Sequence, residues 1–493
     1  MKFHSTRDTA KVGFDSAVVI KQGLAADGGL FVPDSIPTLT EAEIAELRGA
    51  DYAARAAAIL GKFLTDYTAE ELLADCRAAY AESSFVGGAA PLVDLDGTVH
   101  ALELWHGPTA AFKDMALQIM PRLLSRALQK TGETRTALIL VATSGDTGKA
   151  ALEGYRDIPG VQMQVFYPVD GVSRVQKLQM ATQLGENVSV CAIRGNFDDA
   201  QNGVKRIFAD RAAAEKLNER GYFLSSANSI NWGRLAPQIA YYVSAWLDLL
   251  NAGKLAEGEC FNACVPTGNF GNIFAAYLAK RMGVPIGRLI CASNRNNILT
   301  DFLSTGTYDR NRAFYTTMSP SMDILISSNL ERLLYFTAGA ETTAAYMKSL
   351  NETGTYTVSD EVKAAIDADF CGYFADEEAT AATIRALWDD KHYLCDTHTA
   401  VGLSSAKQYI AETGDNRPMV VASTASPYKF AADVLASLGH DVPADQLDAL
   451  DALTSLTGVE IPYPLKGLAE RKVRFTSVCS PADMLDEVYG QLK

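Results

Sequence analysis

The chain has 493 residues, 48% of them apolar and 21% charged, with a formal net charge of −15 at pH 7. That length exceeds one ordinary hydrophobic core, so two or three domains are expected, and the composition is that of a globular protein. The acidic balance argues against a broad nucleic-acid or anionic-membrane surface, and it admits an anionic substrate only where local groups meet its charge.

The opening MKFHSTRDTAKVG has no apolar stretch behind its charges, so it does not read as a secretory signal. No later run approaches the about 18 apolar residues of a membrane span. The first ninety residues join a glycine-rich entry, GLAADGGLFVPDSIP, to alanine-rich helical stretches such as AEIAELRGADYAARAAAIL. HGPTAAFKDMALQ, residues 106–118, then sets Lys113 just after a Gly-Pro turn. From there β and α signals alternate. TALILVA is followed by TSGDTG and the helical KAALEGY; VQMQVFYP precedes SRVQKLQMATQLG; VSVCAIRG precedes NFDDAQNGVKRIFADRAAAEKL. FNACVP leads into TGNFGN and a helix closing at Gly283, with Pro285 as a stop signal, and MVVAS leads into TASPYKF. Strand, loop and helix in repetition predict an α/β fold with mostly parallel sheets flanked by helices, in which ligands sit beyond the carboxyl ends of the strands. DEVKAAIDADF and ADEEATAATIRALWDD read as solvated faces of surface helices, and ERKVRF near the C-terminus as surface.

On a helical wheel over residues 112–129, Leu117, Met120 and Leu124 fall within roughly 40° of Lys113. Asp114, Gln118, Arg122, Ser125 and Gln129 gather on a separate polar arc. Lys113 thus projects from the apolar face and Asp114 from the polar one. A cation in the first turn also opposes the helix macrodipole by about 0.3–1 kcal/mol. Burial and dipole together lower the pKa of an amine, as a Schiff-base lysine requires. A lysine snorkelling from the helix end is the alternative, and the wheel alone leaves both open.

Two loops between strand and helix offer anion cradles. In TGNFGN the glycines admit close approach and the helix start presents free N–H groups, which suits a phosphate. The loop is neither GxGxxG nor GxxxxGK[ST], so nucleotide signatures fail. TSGDTG brings hydroxyls from Thr143, Ser144 and Thr147 with further helix-start N–H groups, suited to a carboxylate; a tight turn with Asp146 as helix cap is the alternative. An amine, a phosphate cradle and a carboxylate cradle together suit pyridoxal phosphate acting on an amino acid. His392, Cys395 and His398 in HYLCDTHTAVG have a ligand-like spacing, but without a second cluster they read as a turn before the next helix rather than a metal site. The eight cysteines are scattered and read as reduced thiols of a cytoplasmic protein.

The residues LAADGGLFVP (24–33), HGPTAAFKD, TSGDTG, NSINWGRLAPQ, PTGNFGN, SMDI with SSNLERL, and DTHTAVG run in order from residue 24 to about 430 and together resemble threonine synthase in its long fungal and bacterial form. The resemblance implies a fold-type-II pyridoxal-phosphate enzyme, similar to the tryptophan synthase β subunit, with an N-terminal domain. It divides the chain into an N-terminal domain (1–90), a large cofactor-binding domain (91–130 and 226–493) and a small α/β domain (131–225). The implied reaction turns O-phospho-L-homoserine and water into L-threonine and phosphate, the last step of threonine biosynthesis. Carried over, Lys113 holds the cofactor as a Schiff base, and Gly268, Asn269, Phe270, Gly271 and Asn272 cradle its phosphate. Thr424 faces the pyridine nitrogen. Ser144, Gly145, Asp146 and Thr147 fall where the substrate carboxylate is held, and the released Lys113 amine moves protons at Cα and Cβ.

For the substrate phosphate the candidates are Thr109, Asn228, Ser229, Asn231 and Arg234, with Arg234 as a structural ion-pair partner the other reading. Two departures stand out. TASPYKF carries Ser426 and Tyr428 where the family has histidine and alanine, and STRDTA carries Asp8 where it has glycine. A phospho-lyase forming a 2-oxo acid or a hydroxy-amino-acid dehydratase on the same fold is the nearest alternative. The expected partner is a small-molecule substrate, with no nucleic acid, no membrane and no metal, and the expected unit a cytoplasmic monomer or homodimer.

Overall fold

The computed structural model describes every residue except Ser144, Gly171 and Lys493. Short strands β1 (Phe3–Ser5) and β2 (Phe31–Pro33) pair antiparallel near the N-terminus. The helices Glu41–Arg48, Tyr52–Phe63 and Ala69–Ala79 follow, the first and third opened by capping boxes at Thr40/Glu43 and Thr68/Glu71. The chain then supplies β3 (Leu92–Asp94), β4 (Val99–Glu103), β5 (Thr136–Ala142), β6 (Val161–Pro168), β7 (Val188–Ile193), β8 (Tyr222–Ser225), β9 (Phe261–Pro266) and β10 (Ile286–Ser293). A hairpin-like pair, β11 (Thr307–Asp309) and β12 (Thr355–Thr357), precedes β13 (Phe370–Phe374), β14 (Met419–Ser423) and β15 (Val478–Cys479).

Two larger sheets carry the architecture. One is ordered β13-β10-β9-β14-β4-β3, parallel except for the antiparallel β3 edge; the other is ordered β15-β7-β6-β5-β8 and wholly parallel. The apolar runs FNACVP and MVVAS are buried along their whole length in the first sheet, and TALILVA along all but its ends in the second. Strands covered by helices on both faces read as continuous hydrophobic runs, which is why these segments are visible in the sequence. The helix Pro237–Asn251, buried at nearly every position, packs against the helices Tyr52–Phe63 and Gly271–Arg281, and residues from both sheets share the main hydrophobic core. Among the described residues no helix is long and apolar enough to cross a membrane.

Four expectations are corrected. The helix predicted over 112–129 is two helices, Asp114–Leu117 and Met120–Lys130, because Pro121 lacks the N–H that would continue the ladder. Asp114 is fully buried rather than solvated, since the helix Asp146–Tyr155 packs over the presumed polar arc. The closeness of that packing shows at Gly154, where a Cβ would lie 1.8 Å from the Leu117 carbonyl oxygen. Finally, the C-terminal tail, assigned to the large domain, adds β15 to β7 of the other sheet and packs Met484 and Val488 against Ile207 and Leu217. DADF, read as the end of a surface helix, runs into β13 at Phe370.

Candidate active site

The parallel strands point their carboxyl ends at one region. After β4 the chain makes the turn that carries Lys113, and after β14 it makes the turn that carries Thr424. The two turns are zipped together: Phe112 N donates to Thr424 O at 2.8 Å, Ser426 N to Ala110 O at 3.1 Å, and Ala111 bridges Ala425. Adjacent register of β14 and β4 makes this contact possible.

Lys113 occupies the position just before the helix Asp114–Leu117, and its carbonyl accepts Leu117 N at 2.9 Å. Its side chain retains only 12% of its surface, and Nζ donates to Ser321 Oγ at 3.2 Å and lies 3.8 Å from Asp146 Oδ2. Snorkelling is thereby ruled out in favour of the buried amine. Burial lowers its pKa, Asp146 raises it, and the nearby cations Lys429 and Arg234 lower it further. Replacing Asp146 with asparagine removes the opposing charge, so the amine loses its proton at lower pH. The pH profile of cofactor uptake by the apoprotein, which needs the neutral amine, is therefore expected to rise at lower pH in Asp146→Asn than in the parent; an unchanged or upward-shifted profile contradicts this.

Asp114, beside it, is a scaffold residue. Its carboxylate accepts Thr109 N at 2.8 Å and Thr109 Oγ1 at 2.7 Å, and burial raises its pKa to about 6. A Cβ on Gly107 would meet Asp114 at 2.6 Å, which explains the glycine of the Gly-Pro turn. The Thr109 hydroxyl, expected to face substrate, is committed to this contact and is fully buried.

The TGNFGN loop follows β9. Phe270 stands in the left-handed region with φ 62°, and Phe274 N to Phe270 O at 3.0 Å closes the first turn of the helix Gly271–Arg281. The N–H groups of Gly271, Asn272 and Ile273 precede that bond and have no carbonyl within the helix. The strained turn is held from outside: Ser327 Oγ donates to Gly268 O at 2.6 Å, and Asn329 N and Nδ2 both donate to Asn269 O at 3.0 Å. A Cβ on Gly268 would lie 2.8 Å from Ser321 O. Asn272 accepts from Tyr241 and Tyr242 through Oδ1, while its Nδ2 is buried with no partner among the described residues. An orphaned donor, a helix start and a glycine too crowded for any side chain fit a bound phosphate.

At the TSGDTG loop, after β5, Thr143 Oγ1 accepts Gly145 N and Gly148 N, both at 3.0 Å, so Thr143 shapes the loop. Gly145 has φ 146°, and a Cβ there would strike Gln176. Asp146 opens the helix without capping it. Its carboxylate instead pairs with Lys429 Nζ at 2.8 Å and accepts Gln176 Nε2 at 3.0 Å. Burial works against that charge, yet Lys429 and Lys113 hold the carboxyl below the usual carboxylate range. Thr147 is half-buried. Ser144 lies outside the described residues.

After β8, Asn231 caps the helix Trp232–Leu235 through Gly233 N and donates to Ile20 O, so its side chain ties the N-terminal region down instead of facing a ligand. Asn228 is exposed and Ser229 half-buried. Arg234 is buried, with Nη1 donating to Ala227 O at 2.7 Å and Nε without a partner among the described residues; burial lowers its pKa to about 10. Thr424 is buried, its N–H bound to Thr399 Oγ1 at 3.2 Å.

Ser321, Asp396, His398 and Lys429 were not singled out as parts of this site by sequence reasoning. Ser321 N donates to His398 Nε2 at 3.1 Å, which makes that nitrogen the acceptor and puts the ring proton on Nδ1, 2.9 Å from Asp396 Oδ2. His398 thus locks the strap that brings Ser321 to Lys113. His392, by contrast, ends a helix at φ 52°, and among the described residues no three His, Cys, Asp or Glu side chains converge as a metal site. The motifs SMDI, DTHTAVG and SPYKF held the signal for these residues, but not their mutual distance.

This geometry is matched by known proteins. Residues 84–424 match the family model "Pyridoxal-phosphate dependent enzyme", while residues 2–80 and 399–488 match "Threonine synthase N terminus" and "Threonine synthase, C-terminal". Threonine synthase of Pseudomonas aeruginosa is 40% identical over 87% of this chain and 89% of that one. The chain belongs to the threonine synthase family. Human threonine synthase-like 1 is also 40% identical, over 96% of this chain, which spans only 64% of the length of that relative. The solved structure of pyridoxal-phosphate-bound threonine synthase from Brucella melitensis superposes with a TM-score of 0.89 at 38% identity, covering all of both chains. The fold is that of fold-type-II pyridoxal-phosphate enzymes, and the cofactor of this family is pyridoxal phosphate. The cradle around Gly268–Asn272 and the buried Lys113 amine fit it.

Proposed function

We propose that the chain is a threonine synthase in activity as well as in family, converting O-phospho-L-homoserine and water to L-threonine and phosphate. The observation that carries this reading is the buried amine of Lys113 set between two anion-binding loops and flanked by Lys429 and Arg234. Bound pyridoxal phosphate supplies an electron sink for carbanions formed next to the substrate amino group.

The protein's own residues do the rest. Lys113 Nζ, released from the cofactor, carries protons at Cα and Cβ of the substrate while phosphate leaves from Cγ and water adds at Cβ. Burial lowers the pKa of that amine and so favours its neutral, basic form. Ser321 orients Nζ. Gly268, Asn269, Phe270, Gly271 and Asn272 hold the cofactor phosphate, and Thr424 faces the pyridine nitrogen with a hydroxyl rather than a charge. The helix-start N–H groups at Asp146 and Thr147, with Gly145 and Ser144, take the substrate carboxylate. Asn228, Ser229 and Arg234 lie toward its phosphate, and the orphaned Nε of Arg234 supports that placement. The large domain that this reading assigns holds the first sheet, and the small domain holds the second apart from β15. The eight cysteines, all free, suit a cytoplasmic setting.

The test is incubation of the holoenzyme with O-phospho-L-homoserine, following released phosphate and the organic product. Phosphate with threonine in equal amounts is expected. Formation of 2-oxobutanoate without threonine would replace the synthase reading with that of a phospho-lyase.

A further inference from the structure

Lys429 has no counterpart among the roles assigned above. It lies in the 3-10 turn Pro427–Phe430 that follows Thr424, and its side chain is fully buried. Nζ contacts Asp146 Oδ1 at 2.8 Å and Thr109 O at 3.0 Å, engaging two of the ammonium's three donors. The turn beneath it is stiff. Lys429 N donates to Ser426 O, Ser426 Oγ accepts Tyr428 N, and Tyr428 OH lies 2.9 Å from Thr454 Oγ1. The two residues that depart from the family pattern thus brace the lysine.

The charges around it do not balance. Lys113 and Lys429 share the single carboxylate of Asp146, and Arg234 has no carboxylate in ion-pair range among the described residues. Asp114 adds a second negative charge nearby, but its oxygens are occupied by Thr109 rather than by any of the three cations. With Lys113 protonated, three buried cations face the two carboxylates of Asp146 and Asp114, a positive excess that is costly until further negative charge enters. The carboxylate of an amino acid already has the N–H groups of the Asp146–Tyr155 helix start. The unmatched cations are left for a group carrying two negative charges.

We propose that Lys429 receives the phosphate group of the substrate, exchanging Asp146 for it, and so selects phosphorylated over unphosphorylated amino acids. This rests on the reading of an O-phosphorylated amino acid as substrate. When Lys429 turns to the phosphate, Asp146 keeps Gln176 Nε2 and Lys113 as partners. Asp146 is thus the internal counter-ion that holds the lysine in place between turnovers.

Holoenzyme is used for the test, so that the cofactor fills its own phosphate cradle. Binding of 2-amino-5-phosphonopentanoate, the phosphonate isostere of the substrate, and of phosphate-free L-2-aminobutyrate is read from changes in the cofactor's absorbance. Lys429→Gln keeps hydrogen-bonding capacity but loses the charge. It is expected to weaken the phosphonate by about 10- to 100-fold, as for loss of a charge-assisted bond, and to leave L-2-aminobutyrate within about twofold. Equal weakening of both ligands would assign Lys429 to the carboxylate, and an unchanged phosphonate affinity would leave it no ligand role; either overturns the proposal. Asp146→Asn frees Lys429 without altering it, and is expected to tighten the phosphonate several-fold relative to L-2-aminobutyrate; weakening it selectively overturns the proposal even where Lys429→Gln does not fold. Wild-type protein that neither binds the phosphonate nor releases phosphate from O-phosphohomoserine refutes the substrate reading itself. Wild-type protein that does both, beside an unaffected Lys429→Gln, refutes only the role of Lys429.

Discussion

Lys113→Ala is expected to lose the visible absorbance of a lysine-linked pyridoxal cofactor and to release phosphate from O-phospho-L-homoserine about 10⁴-fold more slowly, or not measurably. The two roles proposed for Lys113, covalent anchoring of the cofactor and proton transfer at Cα and Cβ, vanish together. The fold should survive, because Asp146 keeps Lys429 at 2.8 Å and Gln176 at 3.0 Å when Lys113 is gone. Thermal unfolding of the apoproteins checks that point. Lys113→Arg preserves the positive charge beside Asp146 yet offers no neutral amine, so it is expected to be as inactive as the alanine variant. A variant at this position that retained both the absorbance and the turnover would move the chemistry to another residue, and Lys429 is the amine closest in kind.

Gly154→Ala is the second large effect. The glycine sits in the helix Asp146–Tyr155, and a Cβ there would come 1.8 Å from Leu117 O and 2.7 Å from Leu117 C. These are backbone atoms of the helix that begins directly after Lys113, so no rotamer change relieves the clash. Overpacking in a core costs about 1–3 kcal/mol, and a backbone collision places this variant at or beyond the upper end, about 3 kcal/mol. Because the displaced helices carry Lys113 and Asp146, weaker cofactor binding should accompany the loss of stability. Denaturant midpoints and cofactor titration measure the two separately. Gly49→Ala is the matched control. Its φ is −90° and a Cβ would meet no atom within 4 Å, so a change within about 0.5 kcal/mol is expected. Equal behaviour of the two variants would mean that the helices are not packed as closely as described.

How much of this was visible beforehand depends on the kind of residue. TALILVA, FNACVP and MVVAS gave their strands to the residue, since a strand buried on both faces writes its environment into its own apolar run. TGNFGN and TSGDTG were readable as loops at strand ends because glycine and helix-start residues have local conformational meaning. Lys113 was placed near an apolar environment by helical periodicity, although the helix itself is broken at Pro121. The same wheel misplaced Asp114. Periodicity assigns a residue to a face but does not say what covers that face, and here the covering helix comes from the other sheet.

The sequence by itself determined the alternation of strands and helices, the two glycine-containing loops between strand and helix and the lysine at the start of its helix, and its ordered motifs marked the threonine synthase family. The tertiary structure alone decided which charges share the buried space. Ser321 reaches Lys113 across 208 residues, and Lys429 reaches Thr109 across 320. Those meetings follow from β14 lying between β9 and β4, and from the second sheet laying the Asp146 helix over the Lys113 turn. Local patterns record whether a segment is buried. The low dielectric that couples Lys113, Lys429 and Asp146 arises only when distant segments exclude water together.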